Sequence, residues 1–147
     1  MTIAIAYKDD FEISLRRIEA WFSHEIIDRV PVRFTAHNAE YNVGPTVDYT
    51  PEQWKKGWFD TEYVIDAYIK SIAGRRFLAE TFPVYWPNLG PDVYAAFYGC
   101  ELTYGEVTSW ACPCVKKWED IEKLKSDVHN PYFKKIEELT TCALEKC

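Results

Sequence analysis

The feature that most constrains the fold is the alternation of helix-period stretches with short β-rich runs. Phe11, Leu15, Ile18, Phe22 and Ile26 recur at spacings of three and four, which lays one apolar stripe along a helix predicted from Phe11 to Asp28. Asp9 or Asp10 can cap its start, and Pro31 stops it. Pro31-Val-Arg-Phe-Thr-Ala36 then reads as a strand. It ends in the polar cluster His37-Asn38-Ala39-Glu40-Tyr41-Asn42, before a Gly44-Pro45 turn. Thr50-Pro51-Glu52-Gln53 is a capping box with proline at the first helical position. Trp54 and Trp58 share a face of that helix, and Ile65, Ile69 and Ile72 mark the next, closed by Gly74 with Arg75 and Arg76 alongside.

Thr81-Phe-Pro-Val-Tyr-Trp86 is the second predicted strand, although Pro83 cannot donate a ladder hydrogen bond. A short helix follows over Asp92 to Tyr98. Leu102-Thr-Tyr104 and Val107-Thr-Ser-Trp110 flank the turn Gly105-Glu106 as a β-hairpin. Trp118, Ile121 and Leu124 form a short amphipathic turn. Asn130 caps the last helix, Pro131 opens it, and Tyr132, Ile136, Leu139 and Ala143 are its stripe. Helices between strands favour parallel pairing, so the expected class is α/β. A length of 147 residues fits a single domain, 1–147.

Composition narrows the function classes. The net charge is -6 and no basic stripe is present, which argues against nucleic acid as a partner. No apolar run reaches membrane-spanning length, and the first residues lack a signal-peptide pattern. The odd count of five cysteines fits free thiols in a reducing cytoplasm. Aromatic residues make up 16% of the chain; they fill cores, line pockets or anchor interfaces, with the core as the first expectation.

The usual chemical signatures are missing. There is no glycine-rich phosphate cradle and no G-x-S-x-G elbow. Cys112-Pro113-Cys114 offers two thiols where tetrahedral zinc needs four ligands, and His24, His37 and His129 show no metal spacing. Cys142 is expected to be partly buried and Cys147 to fray. Glu40, Asp48, Asp60 and Glu80 lie near strand ends or turns; acid–base work would need burial or a charged neighbour, and they read first as caps or surface groups. No catalytic residue is assigned.

Several ordered segments resemble the uroporphyrinogen decarboxylase-like superfamily. They are Asp28-Arg-Val-Pro-Val-Arg33 with Asn38-Ala-Glu-Tyr-Asn42, Phe82-Pro-Val-Tyr-Trp-Pro-Asn-Leu-Gly-Pro91 with Ala95, Ala96 and Gly99, and Glu106-Val-Thr-Ser-Trp110 with Trp118-Glu-Asp-Ile121 and Leu124. The superfamily includes the decarboxylases of haem synthesis and the methyltransferases that serve corrinoid proteins. The resemblance covers nearly all of this chain but only the N-terminal part of a family member. It implies a partial (β/α)8 TIM-barrel-like unit with a β-hairpin excursion.

Where the decarboxylases carry two arginines that bind the acidic side chains of a tetrapyrrole, this chain has Ala36 and Glu40, while Tyr41 matches the family tyrosine. That argues against uroporphyrinogen and places the chain nearer the methyltransferase branch. The resemblance implies no zinc residue here, because those motifs lie on later strands. It implies that Asn38, Tyr41, Trp86, Asn88 and Trp110 form part of a substrate pocket, with amides orienting a polar substrate and aromatics stacking on it.

A barrel of this kind needs roughly 250 residues and a closed ring of eight strands, and a few strands alone leave open edges. The expectation is therefore a chain that binds no cofactor by itself. It would associate with copies of itself or with a complementary barrel segment, and a corrinoid protein would be its partner. Any activity, as a methyltransferase or a decarboxylase (a lyase), would require the remaining barrel. The alternative is a non-catalytic oligomeric interaction protein, burying Trp54 and Trp58 between copies, or a truncated, inactive homologue.

Overall fold

The computed structural model describes residues 5–37 and 50–147. It is a mixture of helices and sheet. Its elements are α1 (Phe11–Phe22), β1 (Arg33–His37), α2 (Pro51–Phe59), α3 (Thr61–Ala73), β2 (Arg75–Ala79), α4 (Val93–Phe97), β3 (Leu102–Tyr104), β4 (Ser109–Ala111) and α5 (Pro131–Lys146), with a 3₁₀ turn at Trp118–Lys123. The single domain expected over 1–147 divides into two compact units. The described part of the first is 5–37 with 68–85, and that of the second is 50–67 with 86–147.

In the first unit β1 and β2 pair antiparallel, Arg33 opposite Ala79 and His37 opposite Arg75. The parallel pairing expected from helix–strand alternation is thus corrected. The second strand lies at Arg75–Ala79 rather than Thr81–Trp86, and the segment 81–88 takes no strand pairing. Pro83 and Pro87 remove donors that a ladder would need. α1 also ends early, at Phe22 instead of Asp28: His24 adopts φ 60 and turns the chain. This frees Asp28 to receive both Nε and Nη2 of Arg17, at 2.8 and 2.6 Å.

The interior of this unit is unusually polar. Ala79, at φ 49, ends β2, and its carbonyl accepts from Lys8 Nζ at 2.5 Å and Ser14 Oγ at 2.9 Å. Lys8 and Ser14 are both buried; these bonds, with the ion pair of Lys8 Nζ to Asp10 at 2.6 Å, offset the cost of burying an ammonium and a hydroxyl. Glu80, expected as a cap or surface group, is buried too. Its carboxylate takes Arg29 Nη1 and Nη2 at 2.6 Å each, Arg17 Nη1 at 3.1 Å and the Val32 N–H at 2.8 Å.

The second unit carries the apolar core: Leu89, Ala96, Leu102, Tyr104, Tyr132 and Leu139, with Trp54, Trp58, Phe59 and Ile136 packed against them. Leu89 and Leu139 are fully buried, each contributing about 2 kcal/mol of burial. Trp54 and Trp58 are half-buried against this core, and Trp58 Nε1 donates to the Gly105 carbonyl at 3.0 Å. The hairpin forms as expected, with Leu102 opposite Ala111 and Tyr104 opposite Ser109.

The caps of this unit are the ones its residues announce. Thr50 and Gln53 complete their box at the start of α2, and Asn130 Oδ1 accepts the Tyr132 N–H at 2.8 Å at the start of α5. Tyr132, Leu139 and Ala143 of the α5 stripe are buried. Trp118, by contrast, is 85% exposed and Ile121 44%, so of the amphipathic turn expected there only Leu124 is partly buried.

Candidate functional site

Of the five residues expected in a pocket, Asn38 and Tyr41 lie outside the described residues, as do Glu40, Asp48 and the Gly44-Pro45 turn. The other three belong to the second unit. Trp86 is 81% exposed and Trp110 55%. A Cβ on Gly105 would stand 3.1 Å from the Trp110 ring, so the indole packs over bare glycine backbone. Asn88 Oδ1 accepts the Gly90 N–H at 2.7 Å, which makes it a turn former as much as a candidate binder. None of the three lines any of the cavities described below.

A cavity that the sequence did not announce lies in the first unit. It has a volume of about 360 Å³, and its walls include Arg33, Phe34, Arg75, Phe77, Thr81 and Phe82. The antiparallel ribbon supplies Arg33 and Phe34 from β1 and Arg75 and Phe77 from β2. The turn after β2 supplies Thr81: the Glu80 N–H donates to the Val32 carbonyl at 3.1 Å and the Thr81 N–H to the Leu78 carbonyl at 3.0 Å. Phe82 is held edge-on against Phe11, with ring centroids 5.1 Å apart.

Thr81 is the distinctive member. It is 7% exposed, yet its Oγ1 has no hydrogen-bond partner. A buried hydroxyl left unpaired costs about 1–3 kcal/mol, so its position on a cavity wall marks it as a group poised for a ligand atom. Arg33 and Arg75 are exposed, and no ion pair engages them among the described residues. Guanidinium groups beside aromatic walls recognise carboxylates and similar anions through paired N–H donors. The buried Tyr104 hydroxyl in the second unit also lacks a partner, but it sits in the core and lines no cavity described here.

Glu80 anchors the turn that carries Thr81. Burial would raise its carboxyl, but the Arg29 fork, the Val32 N–H and Arg17 outweigh burial and bring it down to about 2. It is therefore a fixed anion, not a proton carrier at neutral pH.

The second unit holds a smaller cavity of about 160 Å³, walled by Lys55, Phe59, Glu101 and Tyr132 among others. There Tyr132 Oη donates to Glu101 Oε2 at 2.5 Å and accepts the Leu102 N–H at 3.2 Å, so its polar atoms are already satisfied. Among the described residues no three His, Cys, Asp or Glu side chains are grouped to hold a metal ion, and no helix is long and apolar enough to cross a membrane. No family model matches the chain, nor does any curated protein or solved structure.

Proposed function

We propose that the chain supplies one wall of a substrate pocket, as the N-terminal segment of a uroporphyrinogen decarboxylase-like protein nearer the corrinoid methyltransferase branch. The observation that carries the pocket is the first-unit cavity, lined by a buried unpaired hydroxyl, two guanidinium groups with no ion pair among the described residues, and aromatic walls. The family assignment rests on the ordered segments running from Asp28 to Leu124. The substrate this lining fits is a small apolar molecule with a carboxylate: the rings take the body, Arg33 or Arg75 the charge, and Thr81 Oγ1 a polar atom at depth. The partial (β/α)8 unit belongs to the same reading, but its parallel strands would have to come from the rest of such a barrel, since β1 and β2 pair antiparallel and, among the described residues, no third strand joins them. The chemistry itself would fall to the rest of such a barrel and to a corrinoid protein partner.

The test is co-expression of the chain with a barrel segment carrying the later strands, followed by titration with a cobalamin and with an aromatic carboxylate. Saturable binding by the assembled pair supports the reading. A pair that fails to assemble, or assembles and binds neither ligand, overturns it.

A second reading, non-catalytic self-association, is favoured by one observation. Trp86, Val107 and Trp118 in the second unit are 81%, 85% and 85% exposed, and large side chains left in water mark association surfaces. A defined oligomer by light scattering that Trp118→Ser dissociates would favour it, and a monomer would remove it.

A further inference from the structure

The second unit also holds a groove of about 390 Å³ bounded by Tyr94, Tyr98, Cys100, Pro113, Cys114 and Leu124. Its walls are apolar apart from the two thiols and the tyrosine hydroxyls. Both cysteines are free; Cys100 is buried and Cys114 exposed.

Local structure fixes the first of them. Gly99 at φ 98 closes α4 in a Schellman arrangement: the Cys100 N–H donates to the Ala95 carbonyl at 3.2 Å and the Gly99 N–H to the Ala96 carbonyl at 3.0 Å. The hairpin register fixes the second. The Cys112 N–H donates to the Glu101 carbonyl at 2.7 Å, which extends the pairing one step beyond Leu102 and Ala111, and the chain on either side of this bond carries Cys100 and Cys114 to the same groove. Both thiols border this one groove, and the neighbouring Cys100 thiol raises the Cys114 thiol above its ordinary value. Cys112 is engaged elsewhere, with its Sγ 3.4 Å from Thr103 Oγ1.

We infer that Cys100 and Cys114 form a redox modification site that reacts with a low-molecular-weight disulfide and closes to an intramolecular Cys100–Cys114 disulfide. The exposed Cys114 thiolate attacks one sulfur of the small disulfide, breaking its S–S bond and releasing one half as a thiolate. Cys114 then carries the other half as a mixed disulfide. The Cys100 thiolate attacks Cys114 Sγ, forms the protein disulfide and expels that second half. The two protons of the cysteines pass to the two released thiolates, so two protein thiols are oxidised and one small disulfide is reduced to two thiols. Tyr94 and Tyr98, in edge contact at 5.2 Å, wall the groove in which the mixed disulfide sits before it is resolved. Two thiols bordering one groove suit this exchange better than a tetrahedral metal site, which needs further ligands.

The test is incubation of the full chain with oxidised glutathione at neutral and mildly alkaline pH, then acid quench, alkylation and peptide mapping. The expected product is a Cys100–Cys114 link that dithiothreitol reverses, that forms faster at the higher pH and that survives Cys112→Ser. Cys100→Ser should instead accumulate a stable glutathione adduct on Cys114. A wild-type chain that stops at that adduct, links Cys112 to Cys114, or stays unmodified at alkaline pH overturns the inference.

Discussion

Arg29 grips Glu80 through both terminal guanidinium nitrogens, each 2.6 Å from a different carboxylate oxygen. The Glu80 side chain is 2% exposed and that of Arg29 38%, so a surface arginine reaches inward to neutralise a buried anion. A planar fork meeting a planar carboxylate is the strongest geometry such a pair can adopt. Its structural consequence is the turn at Glu80 and Thr81, and through it the wall of the first-unit cavity.

Acid should loosen this unit. Glu80 has its carboxyl lowered from 4.5 to about 2, so folding favours the ionised form. Its contribution is fully present above pH 4.5 and is lost as pH falls from there towards 2, an effect on the order of 3 kcal/mol. Denaturant unfolding at neutral pH and at pH near 3 measures the loss, and Glu80→Gln should abolish most of the difference. An unchanged pH dependence in that variant would show that other carboxylates carry it.

Gly90 cannot take a side chain. It sits at φ 104, and a Cβ there would stand 1.7 Å from Ser109 Oγ. The same Ser109 Oγ donates to the Leu89 carbonyl at 2.7 Å, so the loop and the hairpin are sewn together at a point with no spare room. Gly90→Ala should cost at least about 2 kcal/mol from backbone strain and collision together, while Ser109→Ala should cost about 1–3 kcal/mol by leaving the carbonyl unpaired. Thermal unfolding of both variants checks the order.

Asn130 serves two elements at once. Its Oδ1 caps α5 at the Tyr132 N–H, and its Nδ2 donates to the Ala96 carbonyl at 2.9 Å. Asn130→Ala should therefore destabilise the second unit by about 1–2 kcal/mol. Asn130→Asp keeps the cap but loses the donor, and should fall between the two. Equal stability of wild type and Asn130→Ala would mean that the Ala96 bond contributes nothing.

Closing the Cys100–Cys114 disulfide should raise the stability of the second unit by about 3 kcal/mol, as expected for a loop of roughly 15 residues. Paired denaturant melts of the oxidised and reduced chains measure it. A smaller or reversed effect would mean that the groove must distort to let the sulfurs bond.

The parts of this fold legible in the sequence are those decided within a few residues. Thr50 with Gln53 and Asn130 with Pro131 announce their helices because capping is local chemistry, and Gly105 announces its hairpin for the same reason. β2 was not legible. It opens on Arg75-Arg76 and closes at Ala79, just before Glu80, charges that read as a helix end and a loop, while the aromatic run Thr81–Trp86 carries the β-propensity but contains Pro83 and runs into Pro87. Strand direction is not legible in the sequence, because helix–strand alternation constrains connections, not the partner that tertiary packing selects. The cavity was hidden for a related reason. Thr81 matters through its burial, and Arg33 and Arg75, at opposite ends of the ribbon, line one cavity only because β1 and β2 pair. Asn88 is expected from the sequence to orient a polar substrate, and in the structure its side-chain carbonyl holds the Gly90 N–H.

The most direct test of the cavity is a benzoate titration of the isotopically labelled chain by NMR, run beside Thr81→Val. The predicted result is saturable shifts at residues 33–34 and 75–84, with affinity about tenfold weaker in Thr81→Val, the worth of one buried hydrogen bond. That variant should fold at least as stably as wild type, since it exchanges an unpaired hydroxyl for a methyl group. Shifts that never saturate, or an affinity that Thr81→Val leaves unchanged, would contradict the assignment of this cavity as a ligand pocket.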